Sequence, residues 1–498
     1  MKRVILTIFV AALLMMNGCD DKDKGVAVTD ITFAEERITL EVGETKTLEY
    51  SIEPKNATDT DVVWNSDREN VAVVSETGEV IALTEGFATI TVTTVKGNIM
   101  DFCFVEVVPA TEISLNKTTL NLVSGKSETL TATVVPAAAV TWSSSKEDVA
   151  TVVNGVITGG IAGTAIITAT AGKQSATCAV TVFDSPKSGD VFVAGTHGRD
   201  AVIWKNGIMQ NLTYNGTMNY AEARSVHGSG SDVYVAGYGN YNAILWKNYV
   251  AENLTDGTRE AKANSVYISD SKLYVAGDER NAQNNSVAKL WTNGVGQDLS
   301  DGTNALSAKS VYVSGNNVYV TVSRDDNNSV ASLWINGETQ NLINSTQSQS
   351  VYVSGADWYV AGSDYSGRGI ARLWKNGILQ NLDLGTDVTY TNASHANAVH
   401  VSGEDVYVAG RQGNFNFGTN YFAKLWINGE VQNLTESTGV TGTNAMSVYV
   451  SGSNVYVAGY GRNAQDVQVP ILWVNGVAQI LPSETTENAR AYSVFVIE

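Results

Sequence analysis

The sequence has little proline, little cysteine and few basic residues. Its 6 prolines and 3 cysteines among 498 residues exclude proline-rich linkers, collagen-like repeats and a disulfide-stapled scaffold. Lysine and arginine total 32 against 51 aspartates and glutamates, a net charge of −19. Such a surface repels phosphate backbones, so no nucleic-acid partner is expected. Hydrophobic residues make up 43% of the chain, enough to form buried cores. The length of 498 residues, at ~150 residues per domain, predicts about three domains.

Long hydrophobic runs are also absent, and the one apolar run lies at the N-terminus. Lys2 and Arg3 precede the run Val4–Met16, which is shorter than the ~20 residues of a spanning helix. Gly18-Cys19 follows, and then an acidic stretch at 20–24. This arrangement resembles a bacterial lipoprotein signal, with the acidic stretch similar to the surface-export signal of Bacteroidetes lipoproteins. The alternative is an ordinary secretory signal with a chance cysteine.

The lipoprotein resemblance implies a location and a membrane attachment. Residues 1–18 would be a signal peptide, residues 19–25 an acidic tether, and Cys19 the lipidated N-terminus. The protein would then lie at the outer membrane, facing the cell exterior, with the lipid as its only membrane attachment.

Residues 26–108 and 109–184 contain two similar β-rich units. Period-2 strand patterns are bounded by Gly, Asn, Asp and Ser, and Trp64-Asn65-Ser66 recurs as Trp142-Ser143-Ser144 after about 80 residues. Both units resemble the bacterial immunoglobulin-like group 2 family through their W-x-S, V-A-x-V, G-x-V and G-x-A-x-I elements. The resemblance implies two β-sandwiches in tandem, used as spacer or adhesive modules, with each tryptophan in the core.

Cys103 and Cys178 occupy matching places in the last strand of each unit. Because equivalent core positions in separate sandwiches should lie far apart, we expect two buried free thiols rather than a disulfide.

Residues 187–498 contain seven copies of one unit. A tryptophan followed by an asparagine turn recurs roughly every 45 residues. The seven are Trp204, Trp246, Trp291, Trp334, Trp374, Trp426 and Trp473. Each copy has four short strand signals, a to d, usually with the hairpin dipeptide Asn-Gly between c and d. The predicted fold class is therefore all-β: two Ig-like sandwiches followed by a seven-bladed β-propeller.

The phase of the repeats predicts how the propeller closes. The first copy begins at strand b, Asp190–Val193, and the chain printed here ends on strand a, Ser493–Ile497. We expect the C-terminal strand to pair beside Val191–Val193, because this removes two open sheet edges.

Hairpin geometry separates two faces of the predicted propeller. The a–b and c–d turns are short and uniform, whereas the b–c and d–a connections vary and carry aromatic and arginine side chains suited to a sugar or a protein loop. The ligand-binding candidates are Tyr238, Tyr241, Tyr365, Arg368, Arg411, Phe415, Phe417, Tyr421, Arg462, His197 and His395. The alternative is that some of these rings only pack against neighbouring blades.

Catalytic motifs are sparse. No serine-nucleophile motif, zinc-ligand spacing or phosphate-binding glycine loop is present, and His227 and His400 replace aromatic residues of strand a. We therefore expect a non-enzymatic surface protein, without cofactor or metal, that binds glycan or protein. The alternatives are a polysaccharide-degrading propeller enzyme, favoured if His197 meets His395 or carboxylates cluster, and a scaffold that binds nothing.

Overall fold

The computed structural model describes residues 25–212, 220–324, 331–342, 346–364, 369–382, 392–414, 421–434, 439–483 and 486–498. The regular structure of these residues consists of β-strands, without a helix, which confirms the all-β prediction. Within the same residues there is accordingly no apolar helix of membrane-spanning length. The predicted signal peptide and Cys19 lie outside the described residues.

The first β-domain packs a four-stranded sheet, β2-β9-β8-β5, beside a three-stranded sheet, β3-β7-β6, and a two-stranded sheet, β1-β4. Its strands are β1 Asp30–Phe33, β2 Arg37–Glu41, β3 Thr45–Thr47, β4 Tyr50–Glu53, β5 Val62–Ser66, β6 Ala72–Val74, β7 Glu79–Ala82, β8 Gly86–Thr94 and β9 Met100–Val108. Alternate residues of β8 and β9 are buried, as expected for strands with one core-facing side. Trp64 packs against this core, 5.6 Å from the ring of Phe33.

The second β-domain repeats this topology strand for strand, with sheets β11-β18-β17-β14, β12-β16-β15 and β10-β13. Its strands are β10 Glu112–Leu115, β11 Thr119–Val123, β12 Ser127–Thr129, β13 Ala132–Val135, β14 Thr141–Ser144, β15 Ala150–Val153, β16 Val156–Gly159, β17 Gly163–Ala171 and β18 Gln174–Phe183. In both domains the last strand pairs parallel with the second, β9 with β2 and β18 with β11. The two domains are therefore an internal duplication, as the sequence predicts.

Cys103 and Cys178 are buried free thiols, as predicted. Burial raises the pKa of each thiol to about 11. Both thiols therefore stay protonated and unreactive near neutral pH.

Seven four-stranded antiparallel sheets follow, numbered here sheet 1 to sheet 7 along the chain. Sheet 1 contains β19 Val191–His197, β20 Asp200–Lys205, β21 Ile208–Asn211 and the C-terminal β46 Ala489–Val496. Sheet 2 contains β22 Ala221–Ser229, β23 Asp232–Gly239, β24 Asn242–Lys247 and β25 Val250–Asn253. Sheet 3 contains β26 Ala261–Ser269, β27 Lys272–Arg280, β28 Ser286–Thr292 and β29 Val295–Asp298. Sheet 4 contains β30 Ser307–Ser314, β31 Asn317–Ser323, β32 Ser332–Ile335 and β33 Glu338–Asn341. Sheet 5 contains β34 Gln347–Ser354, β35 Asp357–Asp364, β36 Ile370–Lys375 and β37 Ile378–Gln380. Sheet 6 contains β38 Asn392–Ser402, β39 Asp405–Asn414, β40 Tyr421–Ile427 and β41 Glu430–Asn433. Sheet 7 contains β42 Thr441–Ser451, β43 Asn454–Arg462, β44 Gln468–Val474 and β45 Val477–Ile480.

The C-terminal strand completes sheet 1. β46 pairs antiparallel with β19, with Val191 opposite Val496 and Val193 opposite Val494, which is the predicted pairing. β46, β22, β26, β30, β34, β38 and β42, called the inner strands below, each contact the next, and β42 contacts β46. These contacts form a series that returns to its start, and the space that the inner strands border is called the axial channel below.

The repeated tryptophans fill the space between neighbouring sheets. Five of the seven are less than 2% exposed: Trp204, Trp246, Trp374, Trp426 and Trp473. The indole Nε1–H of Trp204 donates to the carbonyl of Pro482 at 2.8 Å. The tryptophans are core residues and not surface ligand traps.

The second β-domain packs directly on the first two sheets of the repeat region. The Phe183 ring stacks on the Tyr249 ring at 4.0 Å, and Val123 belongs to the same buried cluster as sheets 1 and 2. The joint between the two β-domains is instead polar, with the Thr111 hydroxyl donating to Glu41 at 3.0 Å.

Candidate functional site at the polar end of the axial channel

Each inner strand carries a β-bulge at the same place. In sheet 2, for example, Ala223 and Ser225 oppose consecutive residues of β23, so Arg224 has no partner in the ladder. A bulge bends its strand and re-aims the extra side chain. The seven bulge residues are Arg224, Asn264, Lys309, Gln349, Asn397, Met446 and Tyr492.

A glycine in the neighbouring strand makes room for the bulge. A Cβ at Gly237 of β23 would lie 1.9 Å from the carbonyl oxygen of Glu222, which is far inside van der Waals contact. Equivalent glycines occupy five other sheets: Gly195, Gly277, Gly362, Gly410 and Gly459. Only sheet 4 has a larger residue, Val322, opposite Ala308.

In six of the seven sheets, a serine after the bulge joins neighbouring sheets. The Val266 amide of sheet 3 donates to the Ser225 hydroxyl of sheet 2 at 3.2 Å. Five more bonds of this kind, with acceptors Ser265, Ser310, Ser350, Ser447 and Ser493, link other neighbours. In sheet 6 the equivalent residue is Ala398, which has no hydroxyl to accept the seventh bond. These bonds fix the backbone from which the bulge side chains project.

Six of the seven bulge residues line a cavity of about 300 Å³, one from each of six sheets. Its lining consists of Arg224, Lys262, Asn264, Asp278, Ser307, Lys309, Gln349, Met446 and Tyr492. Three of these nine side chains are cationic and one is a carboxylate, although the whole chain is strongly acidic. The cavity lies at the start of the inner strands, on the side of the variable connections.

Arg224 is the most constrained cation of the cavity. Its guanidinium is 2.5 Å from the carboxylate of Glu222 and lies over the rings of Tyr492 at 4.6 Å and Tyr238 at 5.5 Å. Burial lowers the pKa of Arg224, but Glu222, Tyr492 and Tyr238 more than offset this, so the net shift of its pKa is upward. Glu222 also accepts a hydrogen bond from Tyr220.

Asp278, the carboxylate of the lining, is 7% exposed. It accepts a 2.5 Å hydrogen bond from the Ser307 hydroxyl and a 3.5 Å bond from the Asn264 amide. Lys262 lies 3.1 Å from Glu260 and 5.4 Å above the Tyr238 ring. Burial lowers the pKa of Lys262 and Glu260 raises it, with a net upward shift. The lysine is therefore charged at neutral pH.

A fourth cation, Arg490, stands beside the cavity on β46. It donates to Gln468 Oε1 at 2.6 Å and to the Tyr492 hydroxyl at 3.4 Å, and it lies 5.2 Å from the Tyr460 ring. Its hydrogen-bond acceptors are therefore neutral groups.

The opposite end of the channel is aromatic. One ring from each inner strand contacts the next at centroid distances of 4.6 to 4.9 Å, and the circle closes on itself. Its members, called the aromatic ring below, are His227, Tyr267, Tyr312, Tyr352, His400, Tyr449 and Phe495. Burial lowers the pKa of both histidines to about 4. They are thus neutral packing residues, as the sequence predicts.

Of the sequence-predicted binding residues, Tyr238 lies at the polar end of the channel, against Arg224 and Lys262. Tyr241 is 66% exposed in the β23–β24 turn, and Arg462 forms an ion pair with Asp466 at 3.0 Å. The candidates Tyr365, Arg368, Phe415 and Phe417 lie outside the described residues.

Three other candidates cluster on sheet 6. The Arg411 guanidinium lies 4.3 Å from the Tyr421 ring, and His395 is 6.2 Å from the same ring. Burial, followed by Arg411, lowers the pKa of His395 to about 4. His197 pairs with Asp200 and Ala489 in sheet 1. Sheet 7 lies between sheets 1 and 6, which carry the two histidines.

Sequence reasoning missed the bulge residues. The signal was present in the residue before Ser-Val of strand a, which changes in almost every copy while its neighbours stay nearly constant, as in Ala223-Arg224-Ser225 and Ala308-Lys309-Ser310. Within the described ranges, no three His, Cys, Asp or Glu side chains are grouped so that they could hold a metal ion.

Comparison with known proteins identifies the two N-terminal domains. Residues 27–99 and 109–182 match the family model of the bacterial Ig-like domain (group 2). An uncharacterised protein of Clostridium acetobutylicum is 36% identical over 138 residues, covering 26% of this chain and 14% of that protein. The kappa-carrageenase of Pseudoalteromonas carrageenovora is 41% identical over 69 residues, covering 14% of this chain and 17% of the enzyme. The matches thus span less than a fifth of these relatives.

Two solved structures resemble parts of the chain. Domains 4 and 5 of the S-layer protein SbsC are 20% identical, covering 32% of this chain and 99% of that chain, with a TM-score of 0.17. A quinonprotein alcohol dehydrogenase-like protein from Bacteroides thetaiotaomicron is 10% identical, covering 78% of this chain and 99% of that chain, with a TM-score of 0.39.

Proposed function

We propose that this protein is a lipid-anchored bacterial surface protein whose two Ig-like domains carry a seven-bladed β-propeller. The propeller binds a glycan or a protein without covalent chemistry, at the polar end of its axial channel. The N-terminal Gly18-Cys19 motif supports the lipid anchor, and the tandem Ig-like domains suit a spacer between membrane and propeller.

Three observations support a propeller closed by the C-terminal strand. β46 completes sheet 1 beside β19, the inner strands contact one another in a circle, and the aromatic ring joins all seven of them, from His227 to Phe495 and back. A circle of sheets buries both faces of each sheet, as its apolar strands require.

The cavity at the polar end carries the binding proposal. Seven equivalent bulges present six different types of side chain from one repeated backbone. Six sheets contribute to the cavity of about 300 Å³. Concave sites with a few convergent polar groups are where small ligands usually bind. Variation at the bulge position of a repeated strand suits recognition better than packing.

A glycan array probed with the purified protein tests this function. We expect binding to a subset of glycans that the Gln349→Ala and Lys309→Ala variants lose. The matched control is Lys375→Ala, since Lys375 pairs with Asp357 on the opposite face. Released products from an array polysaccharide would favour the enzyme alternative. The absence of any glycan or protein ligand would favour the scaffold.

Membrane fractionation of cells tests the anchor. The wild-type protein should sediment with membranes and be accessible to external protease, whereas Cys19→Ser should leave the membrane fraction. Retention of the Cys19→Ser protein in membranes would contradict lipid anchoring.

A further inference from the structure

We propose that the ligand of the axial cavity is an acidic sugar, bound through a carboxylate or sulfate group at Lys309, Lys262 and Arg224. This inference rests on the proposed binding function and narrows its ligand class. It starts from the sign of the charge at the polar end, which is opposite to that of the whole chain.

The cavity concentrates positive charge in an acidic protein. Its lining holds three cations and one carboxylate. The adjacent Arg490 adds one cation, and Glu222 and Glu260, which pair with Arg224 and Lys262, add two carboxylates. The region therefore has one more cation than carboxylates, while the chain carries −19. A concave site lined by one sign of charge attracts ligands of the other sign.

The three carboxylates of the region are already bound by protein groups. Asp278 accepts from Ser307 and Asn264, Glu222 is held by Arg224 and Tyr220, and Glu260 is held by Lys262. They are therefore poorly placed to hold a cationic ligand, and an anion completes the charge balance of the cavity.

Two of the three lining cations are positioned by neighbouring groups before any ligand binds. The Arg224 guanidinium is held over the rings of Tyr238 and Tyr492. The Lys262 ammonium also lies over the Tyr238 ring, 5.4 Å from its centroid. Preorganised donors lose less conformational entropy on binding than mobile ones.

The rest of the lining suits the hydroxyl groups of a sugar. The Gln349 amide offers a donor and an acceptor, and Asn264 offers its amide oxygen, because the Asn264 Nδ2 already donates to Asp278, Ser307 and Ala308. Tyr492 offers an aromatic surface. A cavity of about 300 Å³ lies at the small end of ligand sites. It suits one or two sugar units, or the end of a longer chain.

Titration calorimetry of the full protein tests the charge of the ligand. The probes are a glucuronate-containing disaccharide, a sulfated disaccharide and the matching neutral disaccharide; the first two distinguish carboxylate from sulfate as the bound group. We expect an acidic probe to bind at least about tenfold more tightly than the neutral one, and to weaken about tenfold between ~50 and ~500 mM salt. Lys309→Gln should lower its affinity about tenfold, and Lys375→Gln should not.

The outcomes separate this inference from the proposed function. Equal binding of neutral and acidic probes, or salt-independent binding that Lys309→Gln leaves unchanged, would overturn the acidic-sugar assignment and leave the binding function standing. If no probe and no array glycan or protein binds, the proposed function itself fails. Lys262→Gln provides a second variant if Lys309→Gln does not fold.

Discussion

The two ends of the axial channel are built from the same seven strands and differ in almost every respect. At the polar end the bulge residues are Arg, Asn, Lys, Gln, Asn, Met and Tyr, whereas three residues further along each strand the aromatic ring holds four Tyr, two His and one Phe. The rings touch one another at 4.6 to 4.9 Å, but the bulge side chains surround a cavity. One end therefore stabilises the circle of sheets, and the other is free to carry chemistry.

The largest effect should come from removing a member of the aromatic ring. Phe495→Ala breaks contacts with both His227 and Tyr449 and leaves a cavity beside the core of sheets 1 and 2. We expect the free energy of unfolding to fall by about 3–5 kcal/mol in chemical denaturation. Tyr241→Ala, which truncates a ring that is 66% exposed, is the control and should change it by less than about 0.5 kcal/mol. Equal effects would mean that the ring does not stabilise the fold.

The histidines of the aromatic ring should make stability depend on pH. Burial lowers the pKa of His400 from 6.5 to about 4, so between these values the unfolded chain binds more protons than the folded one. Stability is therefore complete above about pH 6.5 and falls as the pH decreases toward 4, by up to about 3 kcal/mol for this histidine.

His400→Tyr, which installs the commonest residue of the ring, should reduce this pH dependence. His227 and His395 also have pKa values lowered to about 4, so a part of the slope should remain. Denaturation curves at several pH values measure the effect, and an unchanged slope in the variant would exclude a buried neutral His400.

The serine bonds between sheets should have an intermediate effect. Ser447→Ala removes the acceptor of the Val494 amide and should cost about 1–2 kcal/mol, since that amide is left without its partner. The reverse change, Ala398→Ser, supplies the hydroxyl that sheet 6 lacks and should stabilise by about 0.5–1 kcal/mol. Thermal unfolding of both variants checks the pair; destabilisation by Ala398→Ser would show that sheet 6 approaches its neighbour differently.

The smallest effect on stability should come from the polar end. Gln349→Ala changes a cavity-lining residue that belongs to none of the buried hydrophobic clusters of sheets 4 and 5. We expect a change in unfolding free energy within about 0.5 kcal/mol, with loss of ligand binding. A loss as large as that of Phe495→Ala would erase the distinction between the two ends.

Much of the fold could be predicted because its signals are local and repeated. The matching of Trp64 with Trp142 gave the duplication, and the regular tryptophan turns gave the seven copies. The position of Ser493–Ile497 relative to Asp190–Val193 gave the β46–β19 pairing. The candidate site was predicted less well. Aromatic residues in loops, such as Tyr241, are identified as binding candidates from composition alone, whereas Lys309 and Gln349 lie inside strands and are not. Of the predicted candidates within the described residues, Tyr238 connects the list with the cavity through its contacts with Arg224 and Lys262.

By itself the sequence determined the strand class, the repeat number and the pairing of the chain end, because alternation and spacing are properties of neighbouring residues. Only the tertiary structure decided which side chains meet. Arg224, Lys309 and Tyr492 converge on one cavity because bulges turn them toward it. Likewise, Phe183 stacks on Tyr249 across a domain boundary that no local pattern marks. Convergence depends on the rotation from each sheet to the next, which is set by packing over the entire circle.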